Sequence, residues 1–326
     1  MLKAVNHAPS TQGHRKRWKP RRPLRTISML PTLLTLGNLM FGVAAIYYCG
    51  REMQHLGVDK SVAEALILPR IFPPALAPTF LSIAVWMIFG GMIMDTLDGR
   101  VARKTGQASN FGVQLDSLAD IVSFGVAPAI MAITLIHREL FQWQAAPLGF
   151  VPFGKAAVFL AFVYVCCAAL RLARFNVETT MDEASHEGFR GLPSPGAAAA
   201  LITTVFLHEH LEYVGRWTRT ANTLTTLMPL LTLGLGLLMV SRVRYIHAAH
   251  LLLRRRPFWH VVAILLSFVL LLMFTEQVTF VIAWTFVLSG PVAFVLRKTK
   301  EPPEETEGRE TPSEETSQSL SKRQAT

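Results

Sequence analysis

The chain has 326 residues, 51% of them hydrophobic and 17% charged, and a formal net charge of +10. Its apolar residues occur in long blocks, which excludes an ordinary soluble protein, and its basic residues flank those blocks, which argues against nucleic-acid binding. Because only helices and closed barrels satisfy the backbone in lipid, we expect an all-α polytopic membrane protein.

The chain begins with a basic arm, residues 1–28, which includes HRKRWKPRRPLR. This stretch is too long for the n-region of a signal peptide, and no small-residue cleavage site ends the apolar run that follows. We therefore expect an arm that lies on anionic lipid at the cytoplasmic face.

Apolar blocks follow the arm along most of the chain. Four uncharged blocks are long enough to cross about 30 Å of hydrocarbon as helices, namely 26–50, 71–94, 220–241 and 277–296. Four shorter or interrupted runs lie at 121–137, 146–170, 191–207 and 257–275. The pattern predicts about eight transmembrane helices.

Lys and Arg are distributed unequally between the two sides that eight alternating spans define. One side, with both termini, holds 25 of these residues, and the other side holds seven, including Arg138 in a predicted loop. The positive-inside rule then places both termini in the cytoplasm. The segment between the second and third spans faces the same way, so we expect a multi-pass protein of the cell membrane with its acidic loop in the cytoplasm.

Two acidic stretches meet at that segment, DTLDGRVAR (95–103) and DSLAD (116–120). At about 100° per residue, Asp95 and Asp98 share a helical stripe with Gly99 and Ala102, and Arg103 lies at its edge. On the next helix one arc carries Gly112, Asp116 and Asp120, with Ser123 inside it. A short loop, KTGQASN, allows the two stripes to face each other.

Four clustered carboxylates repel one another unless cations compensate their charge. Ligands that are all oxygen favour Mg²⁺ or Mn²⁺, and a pair of such ions is a standard device for moving phosphoryl groups. The small residues leave room for a phosphate or nucleotide, and Arg103 is suited to hold a phosphate oxygen.

The complete string is Asp95-x2-Asp98-Gly99-x2-Ala102-Arg103-x8-Gly112-x3-Asp116-x3-Asp120, and it resembles the signature of the CDP-alcohol phosphotransferase family at all eight positions. The resemblance implies a helical membrane enzyme, usually dimeric. Such an enzyme uses divalent metal, here two Mg²⁺ or Mn²⁺ ions, to displace CMP from a CDP-linked lipid with an alcohol.

The resemblance also implies roles for individual residues. Asp95, Asp98 and Asp116 would be metal ligands, and Asp120 a ligand that also deprotonates the acceptor hydroxyl. The residues that would shape or contact the CDP moiety of CDP-diacylglycerol are Gly99, Ala102, Arg103, Gly112 and, by a looser match in the first span, Thr35 and Asn38.

Further segments are similar to the bacterial members of the family that use L-serine as acceptor: 30–42, 116–129, 168–177 and 191–199. The resemblance covers roughly residues 25–240. It therefore divides the chain into the arm 1–28, a catalytic membrane domain 29–240, two additional helices in 241–298 and a disordered acidic tail 299–326. Its implied partners are CDP-diacylglycerol, L-serine, membrane lipids and a second copy of the chain.

Arg171 and Arg174 lie three residues apart at the end of the fourth predicted span, hence on one helix face. One of them can hold the carboxylate of serine or a lipid phosphate, because arginine grips such groups with paired hydrogen bonds. Both can instead be anchors that snorkel to the head groups. The same pair would also suit glycerol 3-phosphate or inositol phosphate, which leaves a sibling transferase as an alternative.

Two histidine pairs have spacings that suggest metal sites. We place His208 and His210 in a loop on the far side, while His247 and His250 have no partner carboxylate, so we interpret all four as structural. A cation- or proton-coupled transporter is the alternative from another class of function. It predicts polar residues through the bilayer midplane, whereas here the midplane segments are almost wholly apolar.

Overall fold

The computed structural model of the chain describes residues 29–54, 79–105, 110–142, 150–181, 191–213, 217–243, 245 and 274–300. These residues form helices and contain no strand, as expected for an all-α protein. The helices are α1 (Met29–Gln54), α2 (Phe80–Thr105), α3 (Asn110–Asp120), a π-helical segment (Ile121–Val126), α4 (Ala127–Gln142), α5 (Phe150–Met181), α6 (Ser194–Tyr213), α7 (Thr218–Val240) and α8 (Thr275–Lys300).

Within these described ranges, six helical runs are long and apolar enough to cross a membrane: Leu30–Gln54, Phe80–Val101, Phe111–Leu140, Val151–Val177, Thr218–Val240 and Thr275–Leu296. The chain is a multi-pass membrane protein. The predicted span at 191–207 falls mostly in the shorter helix α6, which is not one of these six runs. The predicted span at 257–275 falls almost wholly outside the described residues, as do the arm 1–28 and most of the tail, so the count of eight stays approximate.

Helix α1 packs along α2, and α5 packs along α7. Helix α6 lies in the centre, in contact with α2, α4, α7 and α8, and its side chains Leu201, Ile202 and Phe206 are buried. Outward-facing side chains are apolar, for example Met40, Phe159 and Leu230. This arrangement suits a bundle whose outer surface meets lipid rather than water.

The GLPSPG stretch sets the start of α6. Gly191 has φ 88° and donates its N–H to the carbonyl of Val243 across 2.8 Å. A Cβ at this position would overlap the carbonyl of Met239, so only glycine fits the turn. The turn fixes Ser194, the first residue of α6, beside the end of α7.

The π-helical segment joins α3 to α4, and the three together form one continuous helical run. Within the segment Ser123, Phe124 and Gly125 are buried. The Tyr164 hydroxyl of α5 donates a hydrogen bond to the carbonyl of Phe124 across 3.0 Å. A π-turn changes the backbone pairing from i→i+4 to i→i+5, and such turns are frequent next to functional residues. Here it follows directly after Asp120.

Candidate active site

Three aspartates from two helices converge at one end of the bundle, which we call the aspartate end. Asp95 comes from α2, and Asp116 and Asp120 come from α3, with one carboxylate oxygen of each within 4.8 Å of the others. All three side chains are partly buried. The two stripes that the helical periodicity predicts therefore do face each other.

The fourth aspartate, Asp98, makes a different contact. It is buried, and its Oδ2 accepts a hydrogen bond from Thr35 Oγ1 of α1 at 2.5 Å. Asn38, one turn further along α1, donates from Nδ2 to Oδ1 of Asp120 across 3.1 Å. Thr35 and Asn38 thus contact carboxylates, so α1 orients two of the four acidic side chains.

Helix α1 reaches the site because small residues let it approach closely. A Cβ on Gly91 of α2 would lie 3.0 Å from Asn38 Oδ1. A Cβ on Gly42 of α1 would lie 2.9 Å from Ser123 Cα, and it would overlap Ser123 Oγ. Ser123 Oγ in turn donates to the backbone carbonyl of Asn38 across 3.0 Å. The π-helical segment and α1 are therefore locked together beside Asp120.

The donor set suits a divalent cation. Oxygen Oδ1 of Asp116 and Oδ1 of Asn38 are both buried, and within the described ranges neither has a hydrogen-bond partner. Buried polar atoms are ordinarily paired, so these two oxygens are available to a ligand. A group of carboxylate oxygens with no His or Cys among them fits Mg²⁺ or Mn²⁺.

Arg171 and Arg174 have different surroundings although they share a helix face. Arg171 is partly buried and donates from Nη1 to Ser194 Oγ of α6 across 2.6 Å, while its buried Nε has no hydrogen-bond partner in the part of the chain that the structure describes. Its guanidinium also interacts electrostatically with Asp120. Arg174 is exposed. Arg171 is thus directed at the aspartate end.

The remaining predicted residues lie on the same two helices. Gly99 is in α2 and Gly112 in α3, each partly buried near the aspartates of its own helix. Ala102 and Arg103 belong to the last turns of α2, and their side chains fall outside the described part of the chain.

Sequence reasoning missed three contributors to this site: Ser123, Tyr164 and Ser194. Ser123 did fall on the predicted arc with Asp116 and Asp120, but nothing in the pattern indicated its bond to α1. A signal for Ser194 was present in the GLPSPG turn, which places a serine at a helix start.

The prediction that His208 and His210 lie in a loop is wrong, because both belong to α6. His208 is completely buried. Arg138, also predicted in a loop, lies inside α4 and is buried. Helices α4 and α6 continue beyond the uncharged stretches from which the membrane spans were predicted.

Comparison with known proteins agrees with this geometry. The sequence profile of the CDP-alcohol phosphatidyltransferase family matches residues 28–237. A CDP-diacylglycerol–serine O-phosphatidyltransferase of Helicobacter pylori is 30% identical over 224 residues, which is 68% of this chain and 74% of that protein. A protein of the same name from Bacillus subtilis is 28% identical over 68% of this chain and 92% of its own length. A third, from Methanocaldococcus jannaschii, is 35% identical over 49% of this chain and 61% of its own length.

Proposed function

Since the chain belongs to the CDP-alcohol phosphatidyltransferase family, we propose that it transfers the phosphatidyl group of CDP-diacylglycerol to the hydroxyl of L-serine. The products would be phosphatidylserine and CMP. The observation that carries this proposal is the convergence of Asp95, Asp116 and Asp120 within 4.8 Å. The choice of serine rests on the relatives, which are named as serine transferases.

In the reaction, the serine hydroxyl oxygen forms a bond to the lipid-linked phosphorus while the bond from that phosphorus to the CMP oxygen breaks. Two divalent cations, Mg²⁺ or Mn²⁺, held by Asp95, Asp98, Asp116 and Asp120, would neutralise the diphosphate and stabilise the departing CMP phosphate. Asp120 takes the proton from the hydroxyl, which requires it to lie within hydrogen-bond reach of the acceptor.

The surrounding residues orient these groups. Thr35 holds Asp98 and Asn38 holds Asp120, so the carboxylates are arranged before substrate binds. Preorganised ligands avoid a cost of rearrangement during the reaction. Gly99, Ala102, Arg103 and Gly112 would receive the CDP moiety, since three of them are small and arginine suits a phosphate.

Arg171 is the proposed partner of the serine carboxylate. Its Nη1 is bonded to Ser194, its Nε is unpartnered, and it interacts with Asp120. A carboxylate held there would bring the serine hydroxyl towards the base. Arg174, which is exposed, would then have the lesser role of contacting a lipid phosphate.

We place the aspartate end and both termini in the cytoplasm, on the strength of the basic residues gathered on that side. The diacylglycerol chains then stay in the cell membrane while CDP and serine meet at its cytoplasmic face. A homodimer follows as an expectation from the family.

One enzymatic assay tests the proposed function. Detergent-purified protein receives CDP-diacylglycerol, Mg²⁺ or Mn²⁺, and in turn serine, glycerol 3-phosphate, inositol phosphate or choline, and CMP release is measured. We expect release with serine alone and none after EDTA treatment. Preference for another acceptor would refute the serine assignment, and metal-independent release would refute the role of the aspartates.

A further inference from the structure

At the end of the bundle opposite the aspartates, a second set of acidic side chains surrounds Arg138 of α4. The guanidinium contacts four carboxylates from three helices: Glu52 at 3.1 Å, Glu139 at 3.2 Å, Glu209 at 2.5 Å and Glu212 at 3.1 Å. Arg138, Glu139 and Glu209 are buried. We call this set, with His208, the Arg138 cluster.

The charges of the Arg138 cluster do not balance. One guanidinium faces four carboxylates, so the ionised groups carry three negative charges in excess. Arg138 uses both terminal nitrogens on Glu209, whose second oxygen also accepts a hydrogen bond from Thr79. Both oxygens of Glu209 are thus paired, whereas in the described residues Glu139 accepts from the same guanidinium only through Oε1 and Glu212 only through Oε2. Buried excess charge is costly unless protons or a further cation neutralise it.

His208 adds an independent observation. It is completely buried on α6, and neither of its ring nitrogens has a hydrogen-bond partner among the residues that the structure describes. Its Nδ1 lies 3.5 Å from Glu209 Oε1 and 4.0 Å from Glu212 Oε2, too far for a strong hydrogen bond. A buried imidazole without partners costs free energy, and a neutral imidazole is the commonest metal ligand in proteins.

Three potential ligands meet at this point. One atom each of Glu139, His208 and Glu212 lies within 4.8 Å of the others. We propose that these three residues bind a divalent transition-metal cation of the zinc type. Arg138 would neutralise the neighbouring Glu52 and Glu209 while it keeps one contact to each of the ligands Glu139 and Glu212. A set of one imidazole and two carboxylates suits zinc, whereas Mg²⁺ prefers oxygen ligands and water.

This site is separate from the proposed catalytic one. His208 follows Ser194 by fourteen residues on α6, about 21 Å at the rise of an α-helix. Glu52 and Asn38 are likewise separated by fourteen residues on α1. The cation therefore ties α4 to α6 at the far end of the bundle and has no contact with the reacting groups.

Metal analysis of the detergent-purified full chain tests the proposal. The protein is stripped with a chelator, equilibrated with excess Mg²⁺ to occupy the aspartates, supplied with about one equivalent of Zn²⁺ per chain and desalted, and its zinc content is measured. We expect about one tightly held zinc per chain. His208→Asn and Glu212→Gln should each weaken zinc binding by more than about tenfold.

Two matched controls separate this site from others. His210→Asn alters the neighbouring histidine of α6, which faces Glu276 at 3.6 Å, and should retain the zinc. Asp95→Asn removes one carboxylate charge of the aspartate set, and this variant should also retain the zinc. Zinc that is lost in Asp95→Asn but kept in His208→Asn would overturn the proposal, as would a wild-type chain that holds no zinc.

A second measurement covers the case in which His208→Asn does not fold. Co²⁺ replaces Zn²⁺ in the wild-type chain, and its visible absorption reports a nitrogen ligand in a low-coordinate site. We expect these bands in wild type and their loss in Glu212→Gln, whose side chain is 19% exposed and tolerates the change more readily. A wild-type spectrum identical to that of Co²⁺ in buffer would refute the site.

Discussion

The side-chain amide of Asn38 donates to Oδ1 of Asp120 across 3.1 Å, so the first helix holds the proposed base of the third. Asn38 itself is fully buried, and Ser123 bonds its backbone carbonyl. The base is therefore oriented by a residue that precedes it by 82 positions.

Replacing Asn38 by alanine should leave Asp120 free to rotate. We expect kcat to fall by about 10- to 100-fold, the usual effect of removing a residue that orients a metal-site ligand. The KM for CDP-diacylglycerol should change less. The exposed Asn222 of α7 provides the matched control, and Asn222→Ala should leave CMP release unaltered. Equal rates for the two variants would show that Asp120 needs no support from α1.

Asp120→Asn keeps the shape of the side chain and removes its capacity to accept a proton. Turnover should fall by at least about 100-fold, because general base catalysis contributes about 10²- to 10⁴-fold. Binding of CDP, measured by calorimetry, and the melting temperature should stay close to wild type. Glu276→Gln neutralises a carboxylate of α8 outside the site and should retain turnover. Normal turnover of Asp120→Asn would exclude Asp120 as the base.

Arg171→Lys should raise the KM for serine while the affinity for CDP stays the same. A hydrogen bond to a charged group is worth about 1.5–3 kcal/mol, which corresponds to about 10- to 100-fold in KM. Lysine keeps the charge but loses the fork that grips a carboxylate. Ser194→Ala should cause a smaller rise, and Arg174→Lys, at an exposed position, the smallest. A larger rise in the KM for serine in Arg174→Lys than in Arg171→Lys would assign the serine carboxylate to Arg174 instead.

Gly42→Ala should destabilise the protein, since its Cβ would lie 2.9 Å from the backbone Cα of Ser123, which cannot move freely. We expect a loss of about 1–3 kcal/mol, typical of overpacking. Gly50 lies on the same helix with nothing within 4 Å of a Cβ. Gly50→Ala should therefore be neutral or stabilising by up to about 1 kcal/mol. Thermal unfolding in detergent compares the two, and a more stable Gly42→Ala would show that α1 can move away from the π-helical segment.

Tyr164→Phe removes the hydroxyl that bonds the carbonyl of Phe124 in the π-helical segment. An unpaired buried carbonyl costs about 1–3 kcal/mol, so the melting temperature should fall. CMP release should fall too, because the segment follows Asp120. Tyr47→Phe, at a position 54% exposed on α1, is the control and should have little effect on either quantity.

Local periodicity was sufficient to predict the pairing of the aspartates. Residues three and four apart share a helix face whatever the rest of the chain does, so Asp95 with Asp98, and Asp116 with Asp120, followed from spacing alone. The number of ions and the role of each aspartate came from family resemblance and stay predictions.

Contacts between distant residues were not predictable in this way. Glu52, Arg138 and Glu209 are far apart in the chain, and each alone looks like an interfacial charge at the end of a span. These three residues come into contact because α4 packs against both α1 and α6. The bond between Arg171 and Ser194 has the same origin, because the turn at Gly191 determines where α6 begins.

The π-helical segment has a consequence for how this protein tolerates change in its gene. A π-turn holds about one residue more than an α-turn, so deleting one residue between Ile121 and Val126 would let the segment become a regular α-helix. Asp116 and Asp120 would then keep nearly the same rotation relative to α4. A deletion inside α4 has no such extra residue to remove, and it would turn the two carboxylates by about 100° relative to the rest of that helix. Single-codon deletions in α4 should therefore inactivate the protein more surely than a deletion in the π-helical segment, while leaving it embedded in the membrane.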